Sequence, residues 1–200
     1  MFRAVEGRRR RSDAPDSVWR LLRRLPARRR SEDATIGRVA QVYLETSFFS
    51  ACVWDRKGPK SVYKRLQSRQ WWTHQRSKFE LFVSAEVVRE LSAPGFRHRE
   101  EAIALVREAE LVAIDDEVRG LAKVLVKEKV MPGPAASGDA IHVAAATVHR
   151  LDFLVTWNQR HIANRNKIVH LREVCRRVGC VPPELTTPDA LWIFSEPEEL

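Results

Sequence analysis

The chain has only three cysteines in 200 residues, Cys52, Cys175 and Cys180, and none of them is spaced as in a CxxC motif. Neither a zinc knuckle nor a redox pair is therefore expected. An odd number of isolated cysteines is no disulfide framework either, and free thiols in a reducing cytoplasm are the reading. No run reaches the roughly 18–20 apolar residues that a membrane-spanning helix requires. No apolar stretch follows the first positive run, so no secretory signal is expected. No GxGxxG or GxxxxGK[ST] loop follows a strand-like segment, which argues against a nucleotide-binding α/β domain. Lysine is missing from residues 1–35, which hold eleven arginines and five acids for a net of +6; only +3 of the chain's +9 falls on residues 36–200.

Residues 1–38, with their arginine blocks and few apolar side chains, bury too little surface to offset the entropy of ordering. They read as a disordered extension with a short helix around Val18–Leu25. A basic arm that touches phosphate is the functional reading; an extension without function, or a start codon set too early, is the ordinary one. Residues 39–200 suit one domain of common size with a core that needs no cross-links.

From Gln41 short apolar runs alternate with stretches of helical spacing. QVYL (41–44), ELFVS (80–84), ELVAI (110–114) and FLVTW (153–157) read as strands, and PELTTP (183–188) as a last edge strand. Helical patterns cover 61–79, 85–91, 97–109, 116–130, 139–150 and 159–178. The alternation predicts an α/β sandwich with a mainly parallel sheet.

Ligands of such sheets gather outside the carboxyl ends of the strands. Glu45 directly follows the first strand within VYLETSFFSA, a lone carboxylate among apolar and hydroxyl residues, and Asn158 directly follows FLVTW. Asp139 opens a small-residue helix, and Glu86 and Glu90, four apart, share a helix face. Carboxylates gathered at one edge repel one another unless a cation neutralises them. Hard oxygen donors suit Mg²⁺ or Mn²⁺, and without a His/Cys cluster at ligand spacing zinc is not expected. Ordinary explanations stand beside these: Asp139 and Asn158 as N-caps, Glu86 and Glu90 as solvated helix charges. Glu45 is the hardest to explain so, since its neighbours imply a buried strand end. Lys57, Lys60, Lys64, Arg65 and Arg69, interleaved with Tyr63, Trp71 and Trp72, read as a stacking surface for single-stranded RNA or, for at least one of the two tryptophans, as core or a protein-partner groove.

At VYLETSFFSA, VSAEVVRELSAPG and GDAIHVAAATVHRLDFLVTWNQRHIAN the chain resembles the PIN-domain family, and within it ribonucleases of the VapC toxin type, over roughly residues 41–190. The resemblance implies a Rossmann-like three-layer sandwich with a four- to five-stranded sheet, an acidic pocket for one or two Mg²⁺ or Mn²⁺ ions, and endonucleolytic cleavage of RNA. It also implies a cytoplasmic toxin with a cognate antitoxin, and a homodimer. By position it makes Glu45, Glu90 and Asp139 the metal-binding acids and Asn158 the fourth catalytic position, with Thr46 and Ser47 as accessory donors to the metal shell or phosphate. Glu86 is the competitor to Glu90. His142 and His161 are read as structural and left outside the site. The family more often has Asp at the position of Glu45 and often at that of Asn158. These departures keep open a second reading, a PIN-like domain without catalysis that binds RNA or a protein.

Overall fold

The computed structural model describes residues 38–194. The arginine-rich segment expected to be disordered lies, through residue 37, outside the described residues. Five strands form one sheet: β1 (Ala40–Leu44), β2 (Phe79–Ser84), β3 (Glu110–Val112), β4 (Phe153–Val155) and β5 (Glu184–Thr186). Their order is β3-β2-β1-β4-β5 and every pairing is parallel. The connections supply seven helices among the described residues: α1 (Thr46–Val53), α2 (Pro59–His74), α3 (Ala85–Leu91), α4 (Arg99–Val106), α5 (Asp116–Lys127), α6 (Asp139–Val148) and α7 (Arg165–Arg177). The result is α/β, consistent with a Rossmann-like three-layer sandwich, and the expected mainly parallel sheet is parallel throughout.

The central strand β1 is apolar on both sides, with Val42, Tyr43 and Leu44 fully buried, because both faces of a parallel sheet are covered by its crossovers. The edge strands are short, and Leu111 of β3 is exposed. On one side α1 packs against α2, α3 and α4. There Phe48 and Phe49 meet Trp71 and Trp72 edge-on or tilted, and Trp71 also stacks on Phe79. Both tryptophans are buried, so the reading of Trp71 and Trp72 as an RNA-stacking surface is corrected: they are core.

Helix α5 packs on α6. Its start is set by Asp115, whose carboxylate accepts from Val118 N at 2.9 Å, and Val118, Leu121, Ala122 and Leu125 fall on its buried stripe,. Helix α6 is buried continuously from Ala140 to Thr147, which its small side chains permit. No helix among the described residues is long and apolar enough to cross a membrane.

Several boundaries differ from the sequence expectation: the helix expected over 61–79 ends at His74, with Phe79 already in β2, and the strand expected over 110–114 ends at Val112. Two further differences have a visible cause in the hydrogen bonds. Strand β4 ends at Val155: Thr156 N still donates to Thr186 O at 3.0 Å, but Trp157 N donates to Ser47 Oγ at 2.8 Å instead of to a strand. Helix α7 begins at Arg165 and not near Gln159: Asn158 holds a separate turn, its side-chain oxygen accepting from His161 N and its carbonyl from Ile162 N and Ala163 N, before Asn164 caps the helix.

The strand order has a functional consequence. From β1 the chain builds outward to β2 and β3, then crosses back to lay β4 on the other side of β1. The crevice between the carboxyl ends of β1 and β4 is the topological switch point, where ligands of such sheets bind.

Candidate metal centre at the switch point

Glu45 sits at this crevice. Its backbone N–H donates to Val155 O at 3.1 Å, continuing the β1–β4 ladder by one bond, and its side chain caps α1 by accepting from Ser47 N at 3.1 Å. The same carboxylate oxygen accepts from Thr156 Oγ1 at 2.7 Å and from Ser47 Oγ. Buried at 5% exposure, Glu45 is thus held by hydroxyls from both sides of the switch point, and its other oxygen is aimed away from them.

Glu90 reaches the crevice from α3. Its Oε2 accepts from Thr46 Oγ1 and lies 3.1 Å from His142 Nε2, and Arg89 stands 4.0 Å from its Oε1. Burial raises the Glu90 carboxyl, but the His142 hydrogen bond and charge, the Thr46 hydroxyl and Arg89 outweigh it and hold it below its ordinary value,.

His142 is the residue that sequence reasoning placed outside the site. Fully buried on α6, it presents Nε2 to Glu90, with Glu45 Oε1 4.0 Å away. Its Nδ1 is 2.9 Å from Tyr43 Oη, which is itself 2.7 Å from Ser84 Oγ. Burial lowers the imidazole, but the Glu90 hydrogen bond and the charges of Glu45, Glu90 and Glu86 lift it above its ordinary value. One ligand atom each from Glu45, Glu90 and His142 lies within 4.8 Å of the others. This buried group is able to hold a metal ion.

Asp139 is not in that group. As the first residue of α6 rather than its cap, it accepts from Asn158 Nδ2 at 2.9 Å. Burial and, next, the charge of Glu45 raise its carboxyl above the ordinary value, so it stands close enough to the cluster to feel it. Glu86 is spent elsewhere: Arg89 grips it at 2.8 and 2.6 Å, and it accepts from Gly138 N. Gly138 has φ +72, a conformation side chains disfavour,. Glu86 therefore fixes the turn that delivers Asp139.

Thr46 and Ser47 turn their hydroxyls onto Glu90 and Glu45, where they orient the acids. The cluster opens into a groove of about 440 Å³ lined by Glu45, Glu90, Asn158, Trp54, Arg56 and Lys64, with Trp157 beside them. The Arg56 guanidinium lies 3.9 Å over the Trp54 ring, and Lys64 Nζ 5.4 Å over Trp157. Of the expected basic and aromatic face, Lys64 alone lines this groove. Arg65 and Arg69 instead hydrogen-bond the carbonyls of Trp54 and Cys52.

No protein-family model matches the chain, and no curated protein is significantly similar to it. Fold and site together define an α/β protein with a carboxylate and imidazole cluster at the switch point of a parallel sheet.

Proposed function

We propose that the chain is a divalent-metal-dependent endoribonuclease of the PIN type, the toxin of a toxin–antitoxin pair. The observation that carries the reading is the convergence of Glu45 and Glu90, from β1 and α3, into one buried group at the floor of a groove whose wall is cationic and aromatic. The PIN resemblance of the surrounding segments supports it and adds a cognate antitoxin and a homodimer to the proposal.

The donor set fits a divalent cation, since a buried and a half-buried carboxylate stand together where neutralisation is needed,. Glu45 and Glu90 would hold Mg²⁺ or Mn²⁺, with Asp139 beside them. Such an ion supplies polarisation of a phosphate oxygen and an acidified water. Thr46, Ser47 and Thr156 keep the two acids in fixed rotamers. Asn158 restrains Asp139, and Arg56 and Lys64 would hold phosphates of a single strand while Trp54 offers a face to a base.

Asp139→Asn and Glu45→Gln should each lower Mg²⁺- or Mn²⁺-dependent cleavage of single-stranded RNA by about a hundredfold or more while the far-ultraviolet circular dichroism stays unchanged. Full activity in both variants would remove this site from the reaction.

A further inference from the structure

We propose that His142 is itself a metal ligand through Nε2, and that it turns the centre into a mixed nitrogen and oxygen site selecting a first-row transition ion such as Mn²⁺ or Co²⁺ over Mg²⁺. The proposal rests on the metal-dependent reading above and goes beyond it, since an all-oxygen set would favour neither class so strongly.

Spacing is the first argument. Nε2 lies 3.1 Å from Glu90 Oε2 and 4.0 Å from Glu45 Oε1. Around an octahedral ion with bonds of about 2.1 Å, adjacent ligands stand about 3.0 Å apart and opposite ones about 4.2 Å. Both separations from Nε2 are of that size, and the ligand oxygens of the two carboxylates lie within 4.8 Å of each other.

Support from behind is the second. A ligating histidine ordinarily has its other ring nitrogen held by a hydrogen bond that fixes tautomer and ring orientation. Here Tyr43 Oη holds Nδ1 at 2.9 Å and is itself bonded to Ser84 Oγ at 2.7 Å. When Tyr43 gives its hydrogen to Ser84, it accepts from Nδ1–H, and a bound ion would displace the Nε2 proton that Glu90 accepts, turning the Nε2 lone pair to the metal,. This Tyr–Ser pair is fully buried and does not line the groove. Donor chemistry is the third argument. Imidazole suits transition ions, whereas Mg²⁺ demands oxygen and keeps its waters.

The full chain, stripped with a chelator, is titrated calorimetrically with MnCl₂ and with MgCl₂, and its Mn²⁺ complex is read by electron spin-echo spectroscopy. Mn²⁺ should bind at least about tenfold tighter than Mg²⁺. Nitrogen modulation should appear and change when the histidines are ¹⁵N-labelled, a readout that needs no mutation. In His142→Gln the modulation should vanish and Mn²⁺ affinity fall about 10–100-fold. Saturable Mn²⁺ binding without nitrogen modulation, or equal affinity for the two ions, overturns the proposal and leaves a metal site of oxygen ligands standing. No saturable binding of either ion overturns the proposal together with the metal-dependent function.

Discussion

Glu45 is held by three protein donors, Ser47 N, Ser47 Oγ and Thr156 Oγ1, all on one oxygen. Thr156 is fully buried and links the two sides of the switch point, since its hydroxyl also accepts from Asn158 N at 2.8 Å. Thr156→Val keeps the shape and leaves an amide and a carboxylate oxygen short of partners, which should cost about 1–3 kcal/mol in urea unfolding. The cysteines give a second check at this scale. Burial pushes the thiols of Cys52 and Cys175 up to about 12, and that of the less buried Cys180 also rises. At pH 8 a thiol reagent should modify Cys180 first and the other two only after unfolding; fast labelling of Cys52 would contradict its burial. Glu45 was legible in the sequence because a carboxylate beside an apolar strand end stands out, whereas Glu90 was told from Glu86 on the same short helix only by the family resemblance. His142 was not, because every residue of α6 from Ala140 to Thr147 is buried and no polar face marks which way the helix turns each side chain. Its separation from the other cluster residues along the chain also hides it from any search for ligand spacing.

Among the elements, α2 shows how a mixed pattern divides. Its tryptophans face inward to Phe48, Phe49 and Phe79, while Lys64 faces the groove and Tyr63 reaches out to Asp189 at 2.7 Å. Basic residues between the aromatics suggested a stacking face. The stacking candidate is instead Trp54, on the loop after α1 and paired with Arg56; Trp157, which lies under Lys64, is buried like Trp71 and Trp72. Loop residues have no periodicity from which such a pairing is read. Arg56→Ala combined with Lys64→Ala should raise KM for single-stranded RNA about tenfold or more with kcat little changed, and should lessen the dependence of binding on salt. An unchanged KM would take the substrate out of this groove. Strand and helix positions, in contrast, were readable almost throughout, because strands covered on both faces appear as unbroken apolar runs. The misplaced ends of β4 and α7 are both sites where Ser47 or Asn158 captures backbone groups.

Across the whole molecule, the cluster joins three segments far apart in sequence: the end of β1, helix α3 and helix α6. An ion bound by all three stabilises the folded chain and not the unfolded one, by about 2.7 kcal/mol at a concentration one hundred times its Kd. Saturating Mn²⁺ should therefore raise the melting temperature, a chelator should reverse the rise, and Glu45→Gln should abolish it. A shift that survives in Glu45→Gln would place the ion elsewhere. The strand order also bears on how the protein is made. Domains take shape from the amino terminus as they are synthesised, and β1, β2 and β3 can assemble early, but β4 is laid against β1 only after residue 155 has been added. Until then Glu45 lacks Thr156, Asp139 lacks Asn158, and one edge of the central strand is open. A nascent chain that stops at Val148 thus carries Glu45, Glu90 and His142 yet lacks Thr156 and Asn158, so it holds every ligand of the cluster before it holds the groups that orient Glu45 and Asp139.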